Sequence, residues 1–269
     1  MRVLNEGTRL AQRYTLIRRL GAGGMAEIWL ASDRQTDSRV ALKFLAAGFT
    51  GNVAYRDLLH REWRIGSNLM HAHIVRVFEF HDDPDGAYYS LQFIGDVDLG
   101  ALCGKNPDEV LRPVGLIADA LRYAHAKGVV HRDIKTANIL LDGSGAPYLI
   151  DFGIAALPAD GDRAGGATRI SASPQQVAGE APQSADDIYA LGVLMVELLT
   201  GSPPSAGDPI RLTLPDGSAA PTSIIALINN MLASDAAARP SAKEVAKRLN
   251  DAGFAAGPAP RRYLGDAPV

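Results

Sequence analysis

Residues 131–138 read HRDIKTAN, and YLIDFG follows over residues 148–153. The first segment contains Asp133 and, two residues further on, Lys135, while Asp151 follows the apolar residues of the second. By chance, five specified residues in the pattern His-Arg-Asp-x-Lys-x-x-Asn would occur in about one chain in ten thousand of this length. The pattern therefore indicates a functional site and not an accident of composition.

A glycine-rich turn, GAGGMA over residues 21–26, lies between predicted strands at 14–20 and 26–31. Glycine backbone can approach a polyphosphate closely and donate amide hydrogen bonds to it. However, a turn of this composition is more often only a turn, and Ala26 replaces the third glycine of the usual G-x-G-x-x-G. Taken alone, the turn leaves both interpretations open.

Lys43 lies in the apolar run VALKFL, residues 40–45, which predicts a strand buried on both faces. A buried ammonium needs an anionic partner. Glu62 supplies one, because it lies in the middle of the apolar stripe of a predicted helix over residues 53–70. The apolar members of that stripe are Leu58, Ile65 and Leu69. We predict a Lys43–Glu62 ion pair, which is either purely structural or holds the ammonium against the phosphates of a nucleotide.

The spacing of apolar and turn-forming residues along the rest of the chain predicts an α+β fold. Its first lobe is strand-rich and its second lobe mostly helical. Strands are predicted at 14–20, 26–31, 39–45, 74–81 and 88–94, and helices at 53–70, 188–199 and 242–251, among others. The segment 188–199 is apolar nearly all round, as a buried helix would be. We predict an N-lobe over residues 1–94, a C-lobe over 95–253 and an Ala/Pro-rich tail over 254–269.

Composition narrows the class of protein. The 269 residues are 47% hydrophobic and carry a formal net charge of -3, which favours neither nucleic acid nor an anionic membrane as a partner. Cys103 is the only cysteine, so no disulfide can form within the chain. The sequence shows no targeting or membrane segment, and we expect a cytoplasmic location.

The motif set resembles that of the eukaryotic-type protein kinase family, in its bacterial serine/threonine branch, from about residue 14 to residue 251. The resemblance implies a bilobal kinase fold with ATP bound between the lobes. It also implies that Asp133 accepts the proton of the substrate hydroxyl and that Lys135 neutralises the transferring phosphoryl group. Asn138 and Asp151 would hold Mg²⁺, with Mn²⁺ as a substitute. Phosphoryl transfer mainly needs positioned charge, which these residue types provide.

The same resemblance assigns ATP binding to the first lobe. The implied residues are Leu20, Gly21, Ala22, Gly23, Gly24, Met25, Ile28, Ala41, Lys43, Gln92 and Ile94. Leu20, Ile28 and Ala41 would enclose the adenine, and the backbone of residues 92–94 would bind its edge. These side chains are also typical of an ordinary strand core, and the two interpretations are compatible.

The resemblance also implies structural roles for two residues of the second lobe. Asp187, in DDIYALG over residues 186–192, would brace the catalytic loop, and Arg239 would pair with an acid in the family's Ala-Pro-Glu motif. Here that motif is replaced by SPQ at residues 173–175, so an amide takes the place of the acid. We predict that a hydrogen bond from Arg239 to Gln175 replaces the ion pair.

The segment between Gly153 and Pro174 departs most from the family pattern. Residues 154–167 contain no Ser, Thr or Tyr, although Arg132 beside the catalytic aspartate is typical of kinases activated by a phosphate in this loop. We hypothesise that Asp160 or Asp162 supplies the negative charge instead. Thr168 is predicted to hydrogen-bond the catalytic aspartate and lysine. Phosphorylation at Thr168, Ser171 or Ser173 is the alternative.

Together these features predict a protein serine/threonine kinase that transfers the γ-phosphate of ATP to a protein hydroxyl and phosphorylates itself through self-association. A pseudokinase scaffold is the main alternative, but Lys43, Asp133 and Asp151 are all retained. A kinase for a small molecule is disfavoured by Lys135 and by the Arg239 motif.

Overall fold

The computed structural model describes residues 4–23, 25–46, 48–83, 86–152, 171–204, 212–215 and 217–258. Its contacts divide the chain into two units, one of residues 1–70 and 75–96 and the other of residues 71–74 and 97–269. The domain boundaries predicted after residues 94 and 253 stay predictions.

The first unit is built on an antiparallel sheet. Its strands are β1 (Arg9–Leu10), β2 (Tyr14–Ala22), β3 (Ala26–Asp33), β4 (Ser38–Leu45), β5 (Val77–Asp83) and β6 (Gly86–Gln92), in the order β1-β2-β3-β4-β6-β5. Every residue of β4 from Val40 to Leu45 is buried, as the apolar run predicted. Tyr14, Leu42 and Tyr88 belong to the apolar core of this unit.

The structure adds one strand to the elements predicted in this unit and corrects the bounds of others. The short β1 was not predicted, and the strand predicted at 74–81 begins instead at Val77. Ile74 forms an isolated bridge to Leu149 and belongs to the second unit, so it cannot continue β5. Helix α1 (Val53–Ser67) ends three residues before the predicted end at Met70, where the Asn68 side chain donates to the Arg64 carbonyl at 2.7 Å.

Helix α1 packs closely against β5. It begins after Asn52, whose side chain accepts a hydrogen bond from the Ala54 amide. Its buried residues are Leu59 and Gly66, whereas Leu58, Glu62 and Ile65 of the predicted stripe are partly exposed, so the predicted inward side is off by part of a turn. A Cβ atom added to Gly66 would lie 2.7 Å from Val77 Cγ2, and this close approach requires glycine.

The second unit is mostly helical. Its helices are α2 (Pro107–Ala126), α3 (Pro174–Val177), α4 (Ser184–Thr200), α5 (Thr222–Met231) and α6 (Ala242–Asp251), with 3₁₀ turns at Leu99–Leu102, Thr136–Asn138 and Ala236–Ala238. Helix α4 is buried along nearly its whole length, as its apolar composition predicted. Helix α6 has the predicted bounds. Within the described part of the chain, no helix is both long and apolar enough to cross a membrane.

A small antiparallel sheet in the second unit was not predicted. Its strands are β7 (Val97–Asp98), β8 (Ile139–Leu141) and β9 (Pro147–Leu149), in that order. Strands of two or three residues are too short for alternation to show in a sequence. The hairpin of β8 and β9 carries the two motifs quoted at the start of the sequence analysis, because residues 131–138 precede β8 and Asp151 follows β9 closely.

We predict that Gly66→Ala lowers the free energy of unfolding by about 1–2 kcal/mol, because the stiff Val77 side chain must move to admit the methyl group. Alanine favours a helix more than glycine does, which offsets only part of this cost. Urea denaturation measures the change. Gly143→Ala is the matched control, since a Cβ atom at Gly143 meets nothing within 4 Å. Equal stability of the two variants would contradict the close packing of α1.

Candidate active site

The predicted ion pair of the first unit is present. Lys43 Nζ lies 2.6 Å from Glu62 Oε1, and only 10% and 13% of the two side chains are exposed. The sequence did not show that Tyr89 also takes part: its hydroxyl donates to the same Oε1 atom at 2.9 Å. Tyr89 lies directly opposite Lys43 in the pairing of β4 with β6, and this register cannot be read from either strand alone.

Most residues predicted to bind ATP lie on adjacent strands of the first unit. They are Leu20, Gly21 and Ala22 on β2, Gly23 and Met25 in the following turn, Ile28 on β3, Ala41 and Lys43 on β4, Gln92 at the end of β6 and Ile94 just after it. Gly21 pairs with Ile28 and Ile28 with Lys43, so these three residues lie in one row on one face of the sheet. Gly24 lies outside the described residues.

In the second unit, the buried carboxylate of Asp187 holds the loop that carries Asp133, as the sequence predicted. It accepts hydrogen bonds from the backbone amides of His131 at 2.8 Å and Arg132 at 2.7 Å. His125 Nε2 donates to it at 2.7 Å. Asp187 is 0% exposed, and three donors offset the cost of burying its charge.

His131 joins this loop to the segment before Asp151. The His131 ring is 0% exposed; its Nε2 donates to the Ile150 carbonyl at 2.8 Å, while its Nδ1 accepts from the Asp133 amide at 3.3 Å. The Ile150 amide in turn donates to the main-chain oxygen of Asn138 at 3.0 Å. These bonds bring the backbones that carry Asp133, Asn138 and Asp151 together.

Two residues of this region have a left-handed backbone. Arg132 has φ of +68° and Asp151 has φ of +52°. For residues other than glycine this conformation is uncommon, costs on the order of 1–3 kcal/mol and is concentrated at functional sites. The hydrogen bond from the Arg132 amide to Asp187 helps to hold it in this strained conformation.

The two carboxylate oxygens of Asp133 differ in their surroundings. Oδ2 accepts hydrogen bonds from Lys135 Nζ and from Asn138 Nδ2, each at 2.8 Å. Oδ1 is shielded from solvent and has no hydrogen-bond partner among the described residues. A buried acceptor without a partner is costly and rare, so Oδ1 is suited to accept a hydrogen bond from a substrate.

Asn138 and Asp151 offer oxygen ligands to a cation. The amide nitrogen of Asn138 donates to the main-chain oxygen and to Oδ2 of Asp133, so the amide oxygen is the atom that could bind a cation. No group of three or more His, Cys, Asp or Glu side chains among the described residues could hold a metal by itself. One carboxylate and one amide oxygen fit Mg²⁺, which keeps several waters and shares substrate phosphates.

Residues 14–249 match the family model described as Protein kinase domain. The chain belongs to this family. It is 33% identical over 217 residues to the serine/threonine-protein kinase PknE of Mycobacterium tuberculosis, covering 77% of this chain and 38% of that protein. It is also 33% identical over 210 residues to the serine/threonine-protein kinase PrkC of Bacillus subtilis, covering 75% of this chain and 32% of that protein. The chain therefore spans less than two fifths of the length of these relatives.

Solved structures agree with the family. A crystal structure of the PknI kinase domain of Mycobacterium tuberculosis is similar to this chain, with a TM-score of 0.72 and 28% sequence identity. The match covers 93% of this chain and 99% of that one. The protein kinase fold predicted from the sequence is confirmed.

Gln175, which replaces the acid of the family's motif, forms the hydrogen bond with Arg239 that the sequence predicted. Arg239 donates to Gln175 Oε1 at 2.6 Å in place of the expected ion pair. Arg239 is 7% exposed and also donates to the carbonyls of Ala233 and Ala185. Burial lowers the pKa of the guanidinium, because its direct partners are neutral, and nearby Asp186 acts in the opposite direction.

Ser173 connects the segment that follows residue 170 to α4, and Gln176 connects it to the loop that carries Asp133. The Ser173 hydroxyl is 0% exposed and donates to Asp186 Oδ1 at 2.6 Å, so a kinase could not reach it in this conformation. The Gln176 side chain donates to the Arg132 carbonyl at 3.1 Å, a link that sequence reasoning missed. Thr168, Asp160 and Asp162 lie outside the described residues, so their predicted roles stay predictions.

We predict that Gln175→Glu raises the free energy of unfolding by about 1 kcal/mol, because a carboxylate would give the buried Arg239 guanidinium a charged partner. The gain should be lost in acid as the new carboxyl group is protonated. Denaturant titrations at neutral and acidic pH measure both effects. Gln35→Glu makes the same charge change at an exposed position and should not stabilise the chain. A Gln175→Glu chain no more stable than this control would contradict the interpretation.

Proposed function

We propose that this chain is a serine/threonine protein kinase that transfers the γ-phosphate of ATP to a hydroxyl group of a protein substrate. The observation that carries the proposal is the arrangement around Asp133. One of its oxygens is fixed by Lys135 and Asn138, and the other has no partner among the described residues. This is the arrangement that a hydroxyl nucleophile needs, since phosphoryl transfer requires a positioned acceptor more than covalent chemistry.

The reaction follows from these positions. Asp133 Oδ1 accepts the hydrogen bond of the substrate hydroxyl and directs its oxygen at the γ-phosphorus. A bond forms between that oxygen and phosphorus, the bond from phosphorus to the β,γ-bridging oxygen breaks, and ADP leaves. The hydroxyl proton passes to Asp133. The Lys135 ammonium, held 2.8 Å from Asp133 Oδ2, would neutralise charge on the transferring phosphoryl group.

We assign metal binding to Asn138 and Asp151. Kinases of this family generally use ATP together with Mg²⁺. Asn138 and Asp151 would hold Mg²⁺, which would supply positive charge for the phosphates of ATP; Mn²⁺ is a suitable substitute. The left-handed backbone of Asp151 and the hydrogen bond from the Ile150 amide to the Asn138 carbonyl support this assignment, because they hold the two backbones close together.

We assign ATP binding to the first unit. The row formed by Gly21, Ile28 and Lys43 supports this assignment, because it sets a side-chain-free backbone, an apolar surface and an ammonium side by side. The Lys43–Glu62 ion pair at 2.6 Å would hold the ammonium for the phosphates. Leu20 and Ala41 would contact the adenine, and the backbone of residues 92–94 would bind its edge.

The substrate class is serine or threonine. Lys135, two residues after Asp133, resembles serine/threonine kinases and not tyrosine kinases, and the relatives named above are serine/threonine-protein kinases. The proposal includes autophosphorylation through self-association of two copies and a cytoplasmic location. The pseudokinase alternative is disfavoured, because Lys43 forms its ion pair with Glu62 and Asp133 accepts a hydrogen bond from Lys135.

We predict that Asp133→Asn lowers phosphoryl transfer by about a hundredfold or more while ATP affinity changes little, because the substitution removes a proton acceptor and not a phosphate contact. Initial rates with radiolabelled ATP measure transfer, and titration with a fluorescent ATP analogue measures affinity. Asp57→Asn makes the same change at an exposed position of α1 and should keep full activity. Transfer retained in Asp133→Asn would refute the assigned base.

A further inference from the structure

The carboxylate of Glu62 has two donors on one oxygen. Lys43 Nζ and the Tyr89 hydroxyl both donate to Oε1, at 2.6 and 2.9 Å. Tyr89 is 3% exposed and Lys43 is 8% exposed, so both hydrogen bonds lie in a poorly hydrated environment. In such surroundings a carboxylate depends on each of its donors, because water replaces a lost one poorly.

The Tyr89 side chain has fewer torsions to fix than that of Lys43. Tyr89 belongs to the central part of β6, pairs directly with Lys43 on β4 and lies on the same face of the sheet. A tyrosine ring has two side-chain torsions, whereas a lysine has four and loses more entropy when fixed. Its hydroxyl therefore offers Glu62 a fixed anchor on the sheet that does not depend on where the lysine ammonium points.

We infer that Tyr89 is a positioning residue for the Lys43–Glu62 pair. Its hydroxyl holds Glu62, and with it α1, in register with β4 while the Lys43 ammonium turns some of its donors to the phosphates of ATP. The inference rests on the proposed kinase function, since that function places the Lys43 ammonium at the phosphates of ATP. The neighbouring Tyr88 provides a contrast: it points to the other face of the sheet, where its ring stacks on Phe44 and His81 with centroids 4.9 and 4.7 Å apart.

The test is a set of tyrosine-to-phenylalanine variants, each of which removes one hydroxyl group and keeps the ring. Tyr89→Phe should lower kcat/KM for ATP about three- to tenfold, which corresponds to the usual free-energy contribution of one hydrogen bond. It should leave KM for a peptide substrate unchanged. Tyr88→Phe is the matched control and should leave both parameters unchanged. If Tyr89→Phe has the kinetic parameters of the unmodified chain, the inference is wrong.

A double-mutant cycle separates positioning from general packing. In a Glu62→Ala background, Tyr89→Phe should cause no further loss of kcat/KM for ATP, because the hydroxyl acts through Glu62. A loss that adds fully to that of Glu62→Ala would overturn the inference. Hydrogen exchange of the α1 amides provides a readout without turnover: Tyr89→Phe should speed exchange in α1 only when Glu62 is present, and unchanged exchange would also overturn it.

The outcome for the unmodified chain distinguishes the two proposals. If it transfers phosphate and Tyr89→Phe changes neither kinetics nor exchange, the kinase function stands and the positioning role fails. If it transfers no phosphate to any protein or peptide in the presence of Mg²⁺ or Mn²⁺, the proposed function fails and the positioning role fails with it.

Discussion

The buried carboxylate of Asp187 is the constraint on which the catalytic side of the structure depends. It lies in the first turn of α4, where the helix dipole favours negative charge, and it is 0% exposed. An isolated buried carboxylate would be strongly unfavourable, so His125 and the amides of His131 and Arg132 must stay in place around it. The loop that carries Asp133 is thereby fixed to the most deeply buried helix of its unit.

The remaining site geometry follows from that anchor. The His131 ring donates a hydrogen bond to the carbonyl of Ile150, and the Ile150 amide donates one to the carbonyl of Asn138. One hydrogen-bond network therefore positions the backbones of the two predicted metal ligands. The carbonyl of Arg132 accepts from Gln176, which extends the network to the segment after residue 170. Charged groups at such a site stabilise a transition state most when they are positioned before the substrate arrives. This network provides that positioning.

Several contacts of the site could be predicted from the sequence, because they involve buried charged residues, and a buried charge needs a partner. Lys43 in an apolar strand required an acid, and Gln175 in place of an acid left Arg239 with a neutral acceptor; both contacts are present. The roles of Tyr89 and Gln176 were missed, because they depend on strand register and on contacts between distant segments. The inward side of α1 was misjudged by part of a turn: Leu59 and Gly66 are buried there, and the close contact of Gly66 with Val77 on another segment leaves no apolar side chain for a pattern to show.

The most direct test of the kinase interpretation is incubation of the purified chain with γ-labelled ATP and Mg²⁺, alone and with protein substrates, followed by identification of the labelled amino acids. We expect label on serine and threonine, and none when the divalent metal is removed. Label on tyrosine would contradict the assigned substrate class. A chain that binds ATP but labels no protein with either Mg²⁺ or Mn²⁺ would contradict the central claim that Asp133, held by the Asp187 network, activates a protein hydroxyl.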